Sequence, residues 1–103
     1  MSLQTDIKAG IKDAMIAKDA VRLSVLRGLS AAFTNELVAK KMKPDGELSD
    51  EDTLAVISKE ARKRKDSIEQ FEKGGRPELA EDEKAELAVL EKFLPEQMSY
   101  EAV

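Results

Sequence analysis

The chain has no cysteine, no histidine and no tryptophan among its 103 residues. Without cysteine there is no disulfide, no thiol nucleophile and no thiolate metal site. Without histidine, the commonest general base and the commonest transition-metal ligand are both missing. Aromatic residues are only 4% of the chain, so a core has to come from Leu, Ile, Val, Met and Ala. No apolar run approaches the roughly 20 residues that a membrane span requires. The opening Met1-Ser2-Leu3-Gln4-Thr5-Asp6 lacks the order of a secretory signal, a basic start followed by an apolar stretch. These absences lead to the expectation of a soluble, cytoplasmic protein with no membrane partner, no cofactor and no metal.

What is present is charge and helical periodicity. The length allows one domain with a modest core. The net charge is −4, which argues against a general nucleic-acid binder, and no DNA partner is expected. The charge is unevenly spread, however. Lys59, Arg62, Lys63, Arg64 and Lys65 stand against a single acid, Glu60, and a block of this kind marks an interaction surface or a solvated face.

Four helices follow from spacing and end signals. Leu3, Ile7, Ile11, Ala14 and Met15 recur at helical intervals and predict a helix over 3–17, capped by Ser2 or by Thr5. Lys8, Lys12 and Lys18 fall on or near its polar side. Asp19 reads as the N-cap of a second helix that continues to about residue 41, with Val21, Val25, Leu26, Leu29, Phe33 and Leu37 as its apolar stripe. Gly28 inside it either admits a close crossing or is simply tolerated. The Lys18-Asp19 connection is so short that the first two helices form an antiparallel hairpin.

Pro44-Asp45-Gly46 is a turn in which Gly accepts a positive φ. Ser49 then caps a third helix over 51–73, and Asp50, Glu51 and Asp52 suit its positive end. Those acids lack the carbonyl-rich ligand loop that calcium sites use. Leu54, Ile57, Ala61, Ile68 and Phe71 trace the buried stripe. The helical period carries Arg64 or Lys65 into that stripe, where it either snorkels or pairs with a neighbouring carboxylate. Gly74-Gly75 ends the helix, and Pro77 begins a fourth with Glu78 and Glu81 in its first turn. Leu79, Leu87, Leu90 and Leu94, with Val89 and Phe93, give its apolar side, and Leu94-Pro95 stops it. Ser99 reads as one more N-cap. The fold class is therefore all-α, a small bundle of four main helices built from two antiparallel hairpins.

Lys59, Arg62, Lys63 and Lys65, with Arg76 in the turn, are the candidate RNA contacts. Two readings stay open for them. Asp82, Glu83 and Glu86 of the fourth helix neutralise them, or their outward arc meets RNA phosphates. Only Phe71 and Tyr100 lie near as aromatics, so shape and backbone contact would dominate over base stacking. No Gly-rich phosphate loop and no catalytic constellation is present.

The run SKEARKRKDSIEQFEKGGRPELAEDEKAELAVLEKFLPEQMS, from Ser58 to Ser99, resembles the signature of the GatB/YqeY family and of its small stand-alone YqeY-like members. LSVLRGLSAAFTNEL, from Leu23 to Leu37, fits the same pattern. Phe93 stands where the family has Tyr. The resemblance implies a helical domain over 1–95, similar to the tail of the B subunit of the tRNA-dependent amidotransferase. It implies a non-catalytic, tRNA-contacting accessory role under a family label of glutamine-dependent carbon–nitrogen ligase. Candidate partners are tRNA and components of the amidotransferase or of aminoacyl-tRNA synthetases. Family members carry a further small helical domain, so 96–103 reads as the start of a shortened element. The competing reading is a protein-interaction or oligomerisation module with internally paired charges.

Overall fold

The computed structural model describes residues 2–94, and these form four α-helices with no strand among them. They are α1 (Leu3–Ala17), α2 (Ala20–Ala39), α3 (Asp50–Lys73) and α4 (Pro77–Glu91). The all-α expectation is met. Pro95, Ser99 and the shortened element expected at 96–103 lie outside the described residues. The chain divides into two compact units, Met1–Val56 and Ile57–Val103, and the division falls within α3.

In the first unit, α1 and α2 pack closely against each other. Ser2, rather than Thr5, caps α1: its hydroxyl accepts from the Thr5 amide at 3.1 Å. Asp19 caps α2 by accepting from the Arg22 amide at 3.1 Å. Between them, Lys18 takes a left-handed φ of 56°. The Asp19 and Lys18 amides then reach back to the carbonyls of Ala14 and Met15 at 3.0 and 3.2 Å, closing a Schellman turn. This reversal needs only two residues, and so α1 and α2 are antiparallel. Gly10 marks their close approach, because a Cβ there would lie 3.3 Å from Leu26 Cδ1. Gly28, by contrast, has open space around it and is merely tolerated.

Ile7, Ala14, Val25, Leu26, Leu29, Phe33, Leu37, Leu48 and Val56 are buried, each large side chain contributing about 1.5–3 kcal/mol. Met15 and Val21 were expected in the apolar stripes but are 52% and 41% exposed. Both sit at helix ends, where the stripe runs past the material that covers it. Gln4, by contrast, is buried and accepts from the Leu48 amide at 2.6 Å. Around it the Leu3 amide donates to Asp50, and the Ser2 and Thr5 hydroxyls donate to Glu47. These bonds tie the start of α1 to the segment that leads into α3.

The 40–49 connection departs from expectation at one point. Lys41 takes the left-handed φ, 61°, and closes a second Schellman turn through Met42 N–H to Leu37 C=O at 2.8 Å. Gly46 does not adopt a positive φ. A Cβ there would stand 3.0 Å from the Lys43 carbonyl oxygen, a tight approach that favours glycine. Ser49 caps α3 as expected, accepting from the Asp52 amide at 3.1 Å.

In the second unit, Ile57, Ala61, Ala80 and Leu90 are buried. α3 ends in a third Schellman turn. Gly75 takes φ 75°, and the Arg76 amide donates to the Phe71 carbonyl at 2.8 Å. Pro77 opens α4, where its missing N–H costs nothing.

Candidate nucleic-acid interface

The exposed arc of α3 is built by helical repetition. Lys59, Arg62 and Lys63 stand at i, i+3 and i+4, so they share one face, and all three are exposed. Asp66 follows one turn later on that face, an acid the same spacing could have singled out.

Arg64 points elsewhere. It is half-buried, with its Nη1 3.2 Å from Glu60 Oε1 and its Nη2 3.1 Å from Glu86 Oε1. Arg64, one of the two cations that the period allowed in the apolar stripe, is therefore paired across the hairpin. Lys63 shares Glu60, at 3.2 Å, through the other carboxylate oxygen. Glu60 thus takes two cations of its own helix, a pattern legible in the Glu60, Lys63, Arg64 spacing once it is sought.

Of the two readings left open, neutralisation by α4 is not what the described residues show for Lys59, Arg62 and Lys63. No ion pair among them joins Asp82, Glu83 or Glu86 to Lys59, Arg62 or Lys63. Glu86 goes to Arg64, and a further bridge between the two helices has the opposite polarity, Lys84 of α4 to Glu72 of α3 at 2.9 Å. Lys59 and Arg62 have no ion-pair partner among the described residues.

The remaining two candidates are placed differently. Lys65 is half-buried and is not free. Arg76 is exposed in the turn and donates from Nε to Glu78 Oε1 at 2.7 Å. The structure therefore brings Lys59, Arg62 and Lys63 together and sets Lys65 and Arg76 apart from them.

The electrostatics around the hairpin are those of a solvated surface. Arg76 holds the Glu78 carboxyl below its usual value, and Lys73 does the same for Glu69. Glu72 raises the Lys84 ammonium above its usual value. Phe71 is half-buried, so among the described residues the arc offers cations without an aromatic stacking platform. Among the described residues no acidic cluster is arranged to hold a metal ion, and no helix is long and apolar enough to cross a membrane.

Comparison with known proteins places this hairpin in a family. A Lachancea thermotolerans protein named "Altered inheritance of mitochondria protein 41, mitochondrial" is 38% identical over 90 residues, covering 86% of this chain and 46% of its own. The Saccharomyces cerevisiae protein of the same name is 34% identical over 88 residues, covering 85% of this chain and 46% of its own. An uncharacterized Schizosaccharomyces pombe protein is 34% identical over 98 residues, covering 95% of this chain and 76% of its own. The chain thus spans about half the length of the mitochondrial relatives it matches.

Those names correct the cytoplasmic expectation, since the relatives are designated mitochondrial. Lack of cysteine and of a spanning segment does not separate the cytoplasm from the interior of an organelle. The sequence matches the family described as Yqey-like protein over residues 4–103, and the chain belongs to that family.

Proposed function

We propose that this chain is a non-catalytic RNA-contacting domain whose α3 arc, Lys59, Arg62 and Lys63, lies against the phosphate backbone of a folded RNA of the tRNA type. The observation that supports this reading is the direction of the α4 carboxylates. Glu86 is spent on Arg64, which leaves Lys59 and Arg62 exposed without an ion-pair partner among the described residues. Three cations on one helical face suit a row of phosphates, and each phosphate neutralised releases counterions. With no aromatic platform on the arc among the described residues, recognition is by shape and backbone.

The experiment is a fluorescence-anisotropy titration of labelled tRNA at several salt concentrations. Binding should weaken with salt at a log–log slope of about −2 to −3 for three phosphate contacts. Lys59→Glu with Arg62→Glu should cost at least about tenfold at low salt and flatten that slope by about 2. Absence of tRNA binding at low salt, or affinity untouched by the double reversal, would sink the proposal.

A further inference from the structure

One carboxylate serves both the seam of the second hairpin and its exposed arc. Glu60 Oε1 lies 3.2 Å from Arg64 Nη1, and Glu60 Oε2 lies 3.2 Å from Lys63 Nζ. Arg64 is held in turn by Glu86 across the hairpin at 3.1 Å. Glu60 is only 17% exposed and is anchored in the seam by that guanidinium, so it cannot follow Lys63 outward. The Lys63 side chain is 60% exposed and reaches back one turn to meet it. Lys59 stands one turn earlier on the same face, is the same residue type and is exposed. It has no ion-pair partner among the described residues. Asp66, one turn beyond, makes no ion pair with Lys63 or Arg62 among the described residues. The two lysines thus differ in the hold that Glu60 has on one of them.

We infer that Glu60 is an internal competitor of the RNA, holding Lys63 until a phosphate displaces it and so restraining the affinity of the arc that it borders. The inference rests on the reading of that arc as a phosphate contact. Lys59 and Arg62 meet a phosphate with no carboxylate to give up. Lys63 exchanges a carboxylate for a phosphate, and its net gain is smaller by what the first pair contributed.

The exchange does not endanger the fold. When Lys63 leaves, Glu60 keeps Arg64, so a half-buried carboxylate is not left without a cation. The seam therefore stays closed whether Lys63 is held by Glu60 or by RNA. An ion pair with one member this exposed is weak, which sets the restraint at a few-fold in affinity. Salt screens the pair, so the restraint is largest at low ionic strength.

Fluorescence anisotropy with labelled tRNA tests this on the whole chain at low and at raised salt. Glu60→Gln should bind tRNA about two- to fivefold more tightly than wild type at low salt. The gain should shrink as salt rises, which makes the log–log salt slope steeper. In a Lys63→Met background the same substitution should change affinity by less than about twofold, because the effect runs through Lys63. Lys63→Met and Lys59→Met give a second readout that leaves Arg64 and the seam untouched, since both lysines are exposed. Lys63→Met should cost about two- to fivefold less affinity than Lys59→Met at low salt. A Glu60→Gln chain that binds no tighter than wild type, or that gains as much without Lys63, overturns the competitor role and leaves the tRNA reading standing. So does a Lys63→Met chain that loses as much affinity as Lys59→Met. A wild-type chain that binds no tRNA at low salt removes both.

Discussion

The Arg64 guanidinium joins the two arms of the second hairpin. Its Nη2 and Nε lie 3.1 and 3.2 Å from the same Oε1 of Glu86, while Nη1 lies 3.2 Å from Glu60. The helical period places a cation in the seam between Ala61 and Ile68, and the two carboxylates make that placement tolerable. The side chains are 20% exposed for Arg64, 17% for Glu60 and 26% for Glu86. Solvent therefore screens this group less than a surface pair, and removing one member leaves the others short of a partner.

Arg64→Ala should destabilise the protein by about 1–3 kcal/mol, between the values for exposed and buried pairs. Glu86→Gln should cost less, because Glu60 still holds the guanidinium. A double-mutant cycle in urea should give a coupling of about 0.5–1.5 kcal/mol between Arg64 and Glu86. A coupling indistinguishable from zero would mean the bridge contributes nothing and that Arg64 acts through its stem alone.

Gln4→Leu keeps the size of a buried side chain and removes the acceptor for the Leu48 amide. A buried N–H left without a partner costs about 1–3 kcal/mol, and the loss should appear as a lower urea midpoint with an unchanged slope. Amide exchange at Leu48 should accelerate more than exchange within α2. If Leu48 stays as protected as in wild type, the Gln4 bond is not what holds the 47–50 segment to α1.

What could be read from the residues was local. Ser2, Asp19, Ser49 and Pro77 announce helix starts because each acts within one turn of itself, and Gly75 announces an end for the same reason. Tertiary facts were less visible. Gln4 looks like a surface residue because the amide that justifies its burial is 44 residues away. Gly10 and Gly28 are alike in sequence, yet only Gly10 faces another helix. At the candidate interface, composition located the basic cluster. The helical period set Lys59 and Arg62 outward but could not choose between Arg64 and Lys65 for the seam, because one residue of phase on a helix changes direction by about 100°.

Two helices end with lysine in the left-handed conformation, Lys18 at φ 56° and Lys41 at φ 61°. A Cβ makes that conformation unfavourable by about 1–2 kcal/mol, part of which glycine returns as entropy in the unfolded chain. Lys18→Gly and Lys41→Gly should each stabilise the protein by about 0.5–1 kcal/mol. Gly75→Ala, at φ 75°, should destabilise it by about 1 kcal/mol. Chemical denaturation checks all three, and a destabilised Lys18→Gly would show that the lysine stem contributes packing that outweighs its backbone strain.

Stability should fall off at both pH extremes, with separable causes. The Ser2 hydroxyl, and then that of Thr5, hold the Glu47 carboxyl below its usual 4.5. A group depressed on folding stabilises the native state above its unfolded value and loses that contribution as pH falls through the folded one. The Glu47 contribution is thus complete above 4.5 and disappears at more acid pH. Lys84 behaves in the opposite sense. Glu72 raises it above 10.5, so its contribution is complete below that pH and is lost as pH climbs through the folded value. Glu47→Gln should therefore flatten the acid limb of a Tm-against-pH curve and leave the alkaline limb alone. Residual acid sensitivity from Glu69 and Glu78 should persist, since both are also held low. Lys84→Gln should flatten only the alkaline limb. An acid limb unchanged in Glu47→Gln would show that the Ser2 and Thr5 bonds do not favour the ionised carboxylate.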